Sequence, residues 1–241
     1  MIEIKNVTKC YSKKIKVIEN LDLKINNGEI FGFLGPNGAG KTTTINMITG
    51  VLEINKGDVL LDGKSIITDP IEAKKRIGYV SDDPNIFLKL KGMEYLNFIA
   101  DLYEIGSYER IKKIEELSKK FELYEYLNNK IESYSHGMRQ KLMIIGSLIH
   151  SPQNWILDEP MVGLDPKAAF ELKQQMRKYA AENRCVFFST HVLEVAEKLC
   201  DRIGIINKGK LVFVGTFEQI KNELKENKSL EELFMEIIKD A

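Results

Sequence analysis

The sequence predicts an α/β protein with an N-terminal antiparallel β subdomain and an inserted α-helical subdomain. Three observations support this prediction. Apolar and polar residues alternate over residues 2–25, apolar runs of strand length recur between helical patterns from residue 30 onward, and apolar residues take helical spacing over residues 93–127. Alternation predicts strands with one buried face, whereas continuous apolar runs predict strands covered on both faces, as in a parallel sheet.

Composition sets limits on partners and location. The 241 residues are 44% hydrophobic and 29% charged, which is typical of a folded globular protein. Thirty-five basic side chains balance 35 acidic ones. Because affinity for nucleic acid depends largely on neutralising phosphates, we expect no nucleic-acid partner. No apolar stretch approaches the roughly 18–20 residues that span a bilayer, so we expect no membrane-spanning segment.

The first elements are predicted to be antiparallel strands that share one buried face. A turn at Asn27-Gly28 ends this part of the chain. The apolar positions of the alternating pattern are Ile2, Ile4, Val7, Val17, Leu21, Leu23 and Ile25.

The helical subdomain follows a predicted strand at residues 77–80. Met93, Leu96, Ile99 and Leu102 illustrate its helical spacing. Ser135 is placed to cap a further helix, which stops before Pro152, and at its end we expect His150 to be a surface or C-cap residue. We assign the core with its β subdomain to residues 1–84 and 151–220, the helical subdomain to 85–150 and a short helical tail to 221–241.

A phosphate-binding loop is predicted at residues 35–42, which read Gly-Pro-Asn-Gly-Ala-Gly-Lys-Thr and match G-x-x-x-x-G-K-[S/T]. An apolar strand at residues 30–34 precedes the loop and a helical pattern follows it. A glycine-rich turn that matches by chance is the alternative, and the two correct flanks favour the phosphate site. The sequence therefore predicts the core of a P-loop NTPase, of the RecA-like type.

The residue types in this loop suit a nucleotide. Glycines let backbone N–H groups converge on phosphate oxygens, and the helix N-terminus adds partial positive charge. We expect Lys41 to reach the β- and γ-phosphates of ATP and the Thr42 hydroxyl to complete a Mg²⁺ shell. The predicted nucleotide contacts in this stretch are Gly35, Pro36, Asn37, Gly38, Ala39, Gly40, Lys41, Thr42 and Thr43.

Two acidic residues, Asp158 and Glu159, follow the apolar run Trp-Ile-Leu at residues 155–157. Asp158 is placed to bind Mg²⁺ through water, and Glu159 to polarise the attacking water. In isolation such a pair is more often a solvated turn. The P-loop upstream favours the metal and catalytic roles.

Three further motifs complete a recognisable set. Residues 134–140, Tyr-Ser-His-Gly-Met-Arg-Gln, resemble the signature segment of ABC ATPases, whose common form is Leu-Ser-Gly-Gly-Gln. Residues 163–165, Gly-Leu-Asp, resemble that family's D-loop, and residues 189–191, Ser-Thr-His, its switch histidine. The order and spacing match along essentially the whole chain.

The resemblance implies a nucleotide-binding subunit of an ABC transporter, in which two such domains pair head to tail around two ATP molecules. It places Ser135 and Gly137 against the γ-phosphate held by the other protomer, although Ser135 also suits a plain helix N-cap. It places Tyr11 against adenine, with packing on the core as the alternative. It places His191 against the γ-phosphate or the attacking water, where a structural histidine is the alternative.

Two positions depart from the family pattern. The Q-loop residue, usually Gln, aligns best with Asp82 as a metal-contacting residue, and Asp83 competes for that role. His136 replaces the usual second signature glycine and puts an imidazole where glycine lets the backbone approach nucleotide. Whether that ring faces the phosphate or turns away stays open at this point.

The resemblance implies MgATP hydrolysis by a homodimer that drives separate transmembrane permease subunits from the cytoplasmic face of the membrane. Exporters are favoured over importers. The alternative is an ABC-type ATPase acting on nucleic acid or ribosomes. Relatives of that kind resemble tandem domain pairs or long coiled-coil proteins. This sequence has one P-loop and no long heptad insertion, so the alternative is disfavoured.

Overall fold

The computed structural model describes residues 1–12, 15–223 and 230–239 and confirms the mixed α/β architecture. The strands are β1 (Ile2–Ser12), β2 (Ile15–Ile25), β3 (Ile30–Leu34), β4 (Lys56–Leu61), β5 (Lys64–Ser65), β6 (Ile77–Val80), β7 (Asn154–Leu157), β8 (Cys185–Thr190), β9 (Arg202–Asn207) and β10 (Lys210–Gly215). The helices are α1 (Lys41–Ile48), α2 (Pro70–Lys74), α3 (Gly92–Leu102), α4 (Ser107–Lys120), α5 (His136–Leu148), α6 (Pro166–Ala181), α7 (Leu193–Leu199), α8 (Phe217–Glu223) and α9 (Leu230–Lys239).

The central sheet has the strand order β10-β9-β3-β8-β7-β6. Its strands from β9 to β6 run parallel, and β10 adds antiparallel at one edge. Every residue of β3, β7 and β8 is buried, as their continuous apolar runs predict. Because parallel strands end at the same edge of a sheet, the segments that follow β3, β6, β7 and β8 meet there.

The smaller sheet, β2-β1-β4-β5, is antiparallel. Its buried face differs from the predicted pattern at one position: Ile18 is buried and Val17 is only partly buried. The register of β1 and β2 shifts between Val7 and Lys9, and Asn20 has a positive φ of 47°. Such bulges move the inward position by one residue, which turns Val17 out of the core.

The helical subdomain is built from α3, α4 and α5. Their apolar faces meet around Leu96, Ile114 and Leu142 and continue into the core beside the central sheet. The predicted cap is confirmed, because the Ser135 hydroxyl accepts a hydrogen bond from the Met138 N–H at 3.2 Å. The sequence therefore located both the start of α5 and its end before Pro152.

The expectation that His150 is a surface or C-cap residue is wrong. Helix α5 ends at Leu148, with Ile149 as its C-cap. The His150 ring stacks on Tyr103 with centroids 3.5 Å apart, and its Nε2 donates to the carbonyl oxygen of Ile77 at 2.8 Å. Burial lowers the pKa of His150 to about 4. The chain turns inward after α5, so this histidine joins α3 to β6.

At the C-terminal end, α8 begins before the predicted tail, and α9 packs Phe234 and Ile237 against a small cluster that includes Ile203 and Ile220. Of the predicted tail, residues 224–229 and 240–241 lie outside the described residues. Among the residues that are described, we find no helix with the length and apolar character needed to cross a membrane.

Candidate nucleotide site

The predicted P-loop lies between β3 and α1, where the sequence placed it. Gly40 is the N-cap of α1 and has φ of +110°, a conformation that side chains with a Cβ rarely adopt. A Cβ added to Gly35 would overlap the carbonyl oxygen of Ile206 in β9. Glycine is therefore required at position 40 by the backbone conformation and at position 35 by packing. Together the two glycines let the loop backbone reach the N-terminus of α1.

Lys41 is buried at the start of α1, with 7% of its surface exposed. Its Nζ donates to the carbonyl oxygen of Gly35 at 2.8 Å and lies 3.4 Å from that of Pro36. The same Nζ lies 3.5 Å from Oε1 of Glu159. The lysine thus lies across its own loop with its charge beside a carboxylate, in the position from which it can reach a bound phosphate.

Asp158 is fully buried at the end of β7. Ser189, at the end of β8, donates its hydroxyl proton to Oδ1 at 2.5 Å, whereas Oδ2 has no hydrogen-bond partner among the described residues. Burial raises the pKa of Asp158, the hydroxyls of Ser189 and Thr42 oppose the shift, and the nearby carboxylates of Asp82 and Glu159 add to it. A buried carboxylate with one oxygen unsatisfied is suited to a cation.

The donors around Asp158 suit a hard divalent ion. Thr42 contributes a hydroxyl and Asp82 a second carboxylate, and Mg²⁺ prefers oxygen ligands of this kind while it retains several waters. In the parts of the chain that the structure describes, no three His, Cys, Asp or Glu side chains form a group able to hold a metal by themselves. Phosphate oxygens and water would therefore supply the rest of the coordination.

Glu159 is held from three sides. Its backbone N–H donates to the Ser189 hydroxyl at 2.9 Å, and its φ of +46° turns the side chain out of the strand direction. Nδ1 of His191 lies 3.0 Å from Oε2, opposite the Lys41 contact on Oε1. Glu159 and His191 belong to separate motifs and lie 32 positions apart in the chain. In the structure they form a carboxylate–imidazole pair at the edge of the P-loop.

A cavity of about 400 Å³ opens in front of the P-loop. It is lined by Val17, Asn37, Gly38, Gly40, Lys41, Thr42, Thr43, Asp82 and Glu159. Asp82 thus shares the cavity with the lysine and the threonine. Asp83 is turned into its own loop, where Oδ1 accepts from the backbone and side-chain amides of Asn85 at 2.9 and 2.8 Å. The geometry supports Asp82 over Asp83.

Val17 is the lining residue that the sequence did not predict. The alternating pattern predicted that Val17 lies on the buried face. Asn20 is the residue that could have indicated the irregularity in β2, since asparagine is among the residues that tolerate a positive φ. Its partly exposed side chain stands beside Gly40, where it can offer an apolar surface to a nucleotide base or sugar.

Gly35, Pro36 and Ala39 of the P-loop do not line this cavity, and neither do three predicted nucleotide contacts from other parts of the chain. Ser135 is exposed at the start of α5 and Gly137 follows it in the first turn. Tyr11 is 61% exposed in β1, with Nζ of Lys9 5.7 Å from its ring centre. The exposed ring is accessible for stacking, which disfavours the alternative that it packs on the core. The roles of these three residues remain predictions.

His136 turns toward its own chain. A Cβ added to Gly163 would overlap Cδ2 of His136 and lie 2.8 Å from Nε2, so the ring packs directly on this glycine. A Cβ on Gly137 would lie 2.6 Å from the Gly163 carbonyl oxygen. Lys141 of α5 pairs with Asp165 at 2.8 Å and lowers the pKa of that carboxyl. Three contacts therefore join the start of α5 to residues 163–165.

The fold and this site define a P-loop ATPase. Hydrolysis of a nucleotide γ-phosphate requires a lysine within a phosphate-binding loop, a carboxylate that can bind a metal ion and a base that activates water. This site has the lysine, the buried carboxylate and a carboxylate–imidazole pair together at one edge of a parallel sheet.

Comparison with known proteins gives the family. Residues 18–162 match the ABC transporter family. The chain belongs to that family, as an ATP-binding subunit. It is 40% identical, over 92% of its length and 71% of the relative's, to an uncharacterized ABC transporter ATP-binding protein, YhcH, of Bacillus subtilis. It is 34% identical to the ATP-binding protein NatA of the same organism, over 92% of this chain and 91% of that one.

Two solved structures of ABC ATP-binding proteins have the same fold as this chain. An ATP-binding subunit of an ABC transporter superposes with a TM-score of 0.93 at 30% identity, covering 98% of this chain and 99% of the other. The ATP-binding cassette MJ0796, solved as a dimer in a post-hydrolysis state with ADP and Pi, gives a TM-score of 0.81 at 28% identity, with 90% and 98% covered. The predicted fold and ATPase class are thereby confirmed.

Proposed function

We propose that this chain hydrolyses MgATP as one half of a head-to-tail dimer and drives separate transmembrane permease subunits. The main support is the placement of Glu159 between Lys41 and His191 at the mouth of the P-loop cavity. Ser135 and Gly137 lie apart from the lining of that cavity. A second protomer that presents its own signature segment would complete the site from the open side, and the dimeric cassette MJ0796 is a precedent.

The residues divide the chemistry between them. Lys41 exchanges its loop carbonyls for the β- and γ-phosphates, which are the stronger anionic partners. Glu159 polarises the attacking water and accepts its proton, and His191 holds the carboxylate in place through Nδ1. Thr42, Asp158 and Asp82 would hold Mg²⁺, which neutralises developing phosphate charge when bound. Tyr11 and Val17 flank the base and sugar.

A groove suited to the permease lies between β6 and the helical subdomain. Its cavity measures about 200 Å³ and is lined by the end of α1, by β6, by α3 and by the end of α5. Three tyrosines, Tyr79, Tyr95 and Tyr103, line this groove together with His150. Since β6 leads directly to Asp82, a segment seated here would contact the strand that enters the nucleotide site.

Exporters are the favoured transport class. One relative, 35% identical over 90% of this chain and 69% of its own length, is the linearmycin resistance ATP-binding protein LnrL of Bacillus subtilis. A resistance function fits export. The proposed location follows from the partner: the cytoplasmic face of the membrane, held there by the permease.

Purification of tagged chain from detergent-solubilised membranes tests the proposal. We expect an integral membrane protein to co-purify, and the complex to hydrolyse ATP only when Mg²⁺ is present. Glu159→Gln, purified in parallel, should retain the membrane protein and lose hydrolysis. Co-purification with ribosomes or nucleic acid in place of a membrane protein would contradict the proposal.

A further inference from the structure

Arg139 joins three separate pieces of the chain. It lies in the first turns of α5, within the signature segment, and its guanidinium uses all three of its nitrogens. Nε donates to the carbonyl oxygen of Ile131 at 3.2 Å and Nη2 to that of Glu132 at 2.9 Å. Nη1 donates to Oδ1 of Asn85 at 2.5 Å, across 54 positions of sequence. Such a planar fork fixes direction as well as distance.

The Asn85 contact reaches the loop that carries Asp82, which we call the Asp82 loop and define as residues 81–90. The far end of this loop is held by backbone bonds from Ile131 to Leu90 and from Glu132 to Leu88, both 2.9 Å. Nearer its start, the loop is connected to α5 by the hydrogen bond from Arg139 to Asn85. Asn85 in turn donates two hydrogen bonds to Asp83, which precedes it by two positions and is the neighbour of Asp82.

The signature segment and the Asp82 loop are thus connected by a side chain that touches neither the P-loop nor the phosphate cavity. Asp82 lines the cavity of its own protomer, while Ser135, four residues before Arg139, is exposed for the site of the other. A displacement of the Asp82 loop would move Asn85, and the guanidinium would transmit that displacement to the start of α5.

We propose that Arg139 is a positioning residue that couples the Asp82 loop to the signature segment, so that nucleotide contact in one site sets the position of Ser135 in the other. The inference rests on the proposed two-protomer site. The Arg139–Asn85 contact is needed for assembly and turnover and contributes little to binding of ATP by the single chain.

Steady-state kinetics of Arg139→Ala, Arg139→Lys, Asn85→Ala and the Arg139→Ala/Asn85→Ala double variant test this role. We expect kcat to fall about 10–100-fold in each variant, because a charge-assisted hydrogen bond that positions reacting groups is lost. The affinity for ATP, measured by equilibrium titration, should change less than about threefold. Lysine should not restore turnover, since a point charge cannot hold three acceptors.

Non-additivity provides the sharper readout. If the two side chains act through each other, the double variant should be no slower than Arg139→Ala alone. In a Glu159→Gln background, Arg139→Ala and Asn85→Ala should each also reduce the ATP-dependent dimer in size-exclusion chromatography. Asn85 is exposed, so its substitution leaves the fold intact even if Arg139→Ala destabilises the helical subdomain.

Arg110→Ala is the matched control. Arg110 also anchors the helical subdomain, through Asp101 at 2.5 Å and the Ile105 carbonyl at 3.1 Å, and its contacts lie within that subdomain. It should lower the melting temperature and leave kcat unchanged. Wild-type kcat in Asn85→Ala, additive losses in the double variant, or an equal loss in Arg110→Ala would overturn the proposal. A wild-type chain that neither hydrolyses ATP nor dimerises would overturn the proposed function itself.

Discussion

Nζ of Lys41 lies 3.5 Å from Oε1 of Glu159. The other carboxylate oxygen faces Nδ1 of His191 at 3.0 Å, so both oxygens of the expected general base have partners before any phosphate is present. An incoming γ-phosphate offers Lys41 more negative charge than the carboxylate does. Binding of ATP should therefore draw the lysine away and leave Glu159 free on the side where water attacks.

Lys41→Ala should weaken MgATP binding sharply and leave the fold intact. Among the described residues that line the cavity, the substitution removes the one side-chain cation, whereas the remaining phosphate contacts are expected to come mainly from backbone. Equilibrium titration with ATP measures the effect, and circular dichroism checks the fold. Equal affinity in the variant and the wild type would overturn the P-loop assignment.

Glu159→Gln should bind ATP but hydrolyse it about 10²–10⁴-fold more slowly, the usual range for a positioned general base. Since the closed dimer would then form without being cleaved, the variant should elute as an ATP-dependent dimer in size-exclusion chromatography. A variant that remains monomeric at saturating MgATP and turns over at the wild-type rate would contradict both the base and the dimer.

Asp158→Asn should stabilise the nucleotide-free protein and abolish its Mg²⁺-dependent gain in ATP affinity. Because the folded-state pKa of Asp158 is raised, its ionised form opposes folding, and stability is lost as the pH rises from the unfolded value through the folded one. At neutral pH the neutral amide removes that penalty. We expect the melting temperature to rise by roughly 2–6 °C. An unchanged or lower melting temperature would contradict the claim that the buried charge of Asp158 opposes folding.

Gly163→Ala should be more costly than Gly63→Ala, although both glycines have nearly the same φ, +77° and +80°. A Cβ on Gly63 meets open space, so its cost of about 1 kcal/mol reflects backbone strain alone. At Gly163 the Cβ overlaps the His136 ring, which adds about 1–3 kcal/mol. Urea unfolding measures both.

In a His136→Gly background, Gly163→Ala should cost no more than Gly63→Ala does. His136→Gly alone should change turnover only a few-fold and leave the rate profile between pH 6 and 8 superimposable on that of the wild type. A profile that changes shape on mutation would return His136 to the nucleotide site.

His150 should make the protein less stable in acid. Its folded pKa of about 4 lies below its unfolded value of 6.5, so the unfolded chain binds the proton first and stability falls as the pH drops through this window. Between pH 7.5 and 5 the loss should be about 2 kcal/mol. His150→Phe keeps an aromatic ring on Tyr103 and should flatten this dependence in urea unfolding. Lys113 adds positive charge nearby and remains in both proteins.

Local sequence was sufficient for the elements and for the phosphate loop. The glycine pattern, its apolar strand and its helix all lie within about twenty residues, and the turn conformation depends on those residues themselves. The cap at Ser135 is local in the same way, since its partner is the Met138 N–H. The set of motifs also located Asp158, Glu159 and His191, because Asp158 and His191 directly follow apolar strands and Glu159 is the next residue after Asp158.

Only the tertiary structure decided the contacts between distant segments. It selected Asp82 over Asp83 for the cavity, turned His136 onto Gly163, stacked His150 on Tyr103 and linked Arg139 to Asn85. A side chain's direction at each of these places depends on which segments the packed sheet and helices bring beside it. Neighbours in the chain do not contain that information, because the partners are distant in sequence and meet only after the core has formed. His136 and Gly163 are 27 positions apart, Tyr103 and His150 are 47 apart, and Asn85 and Arg139 are 54 apart.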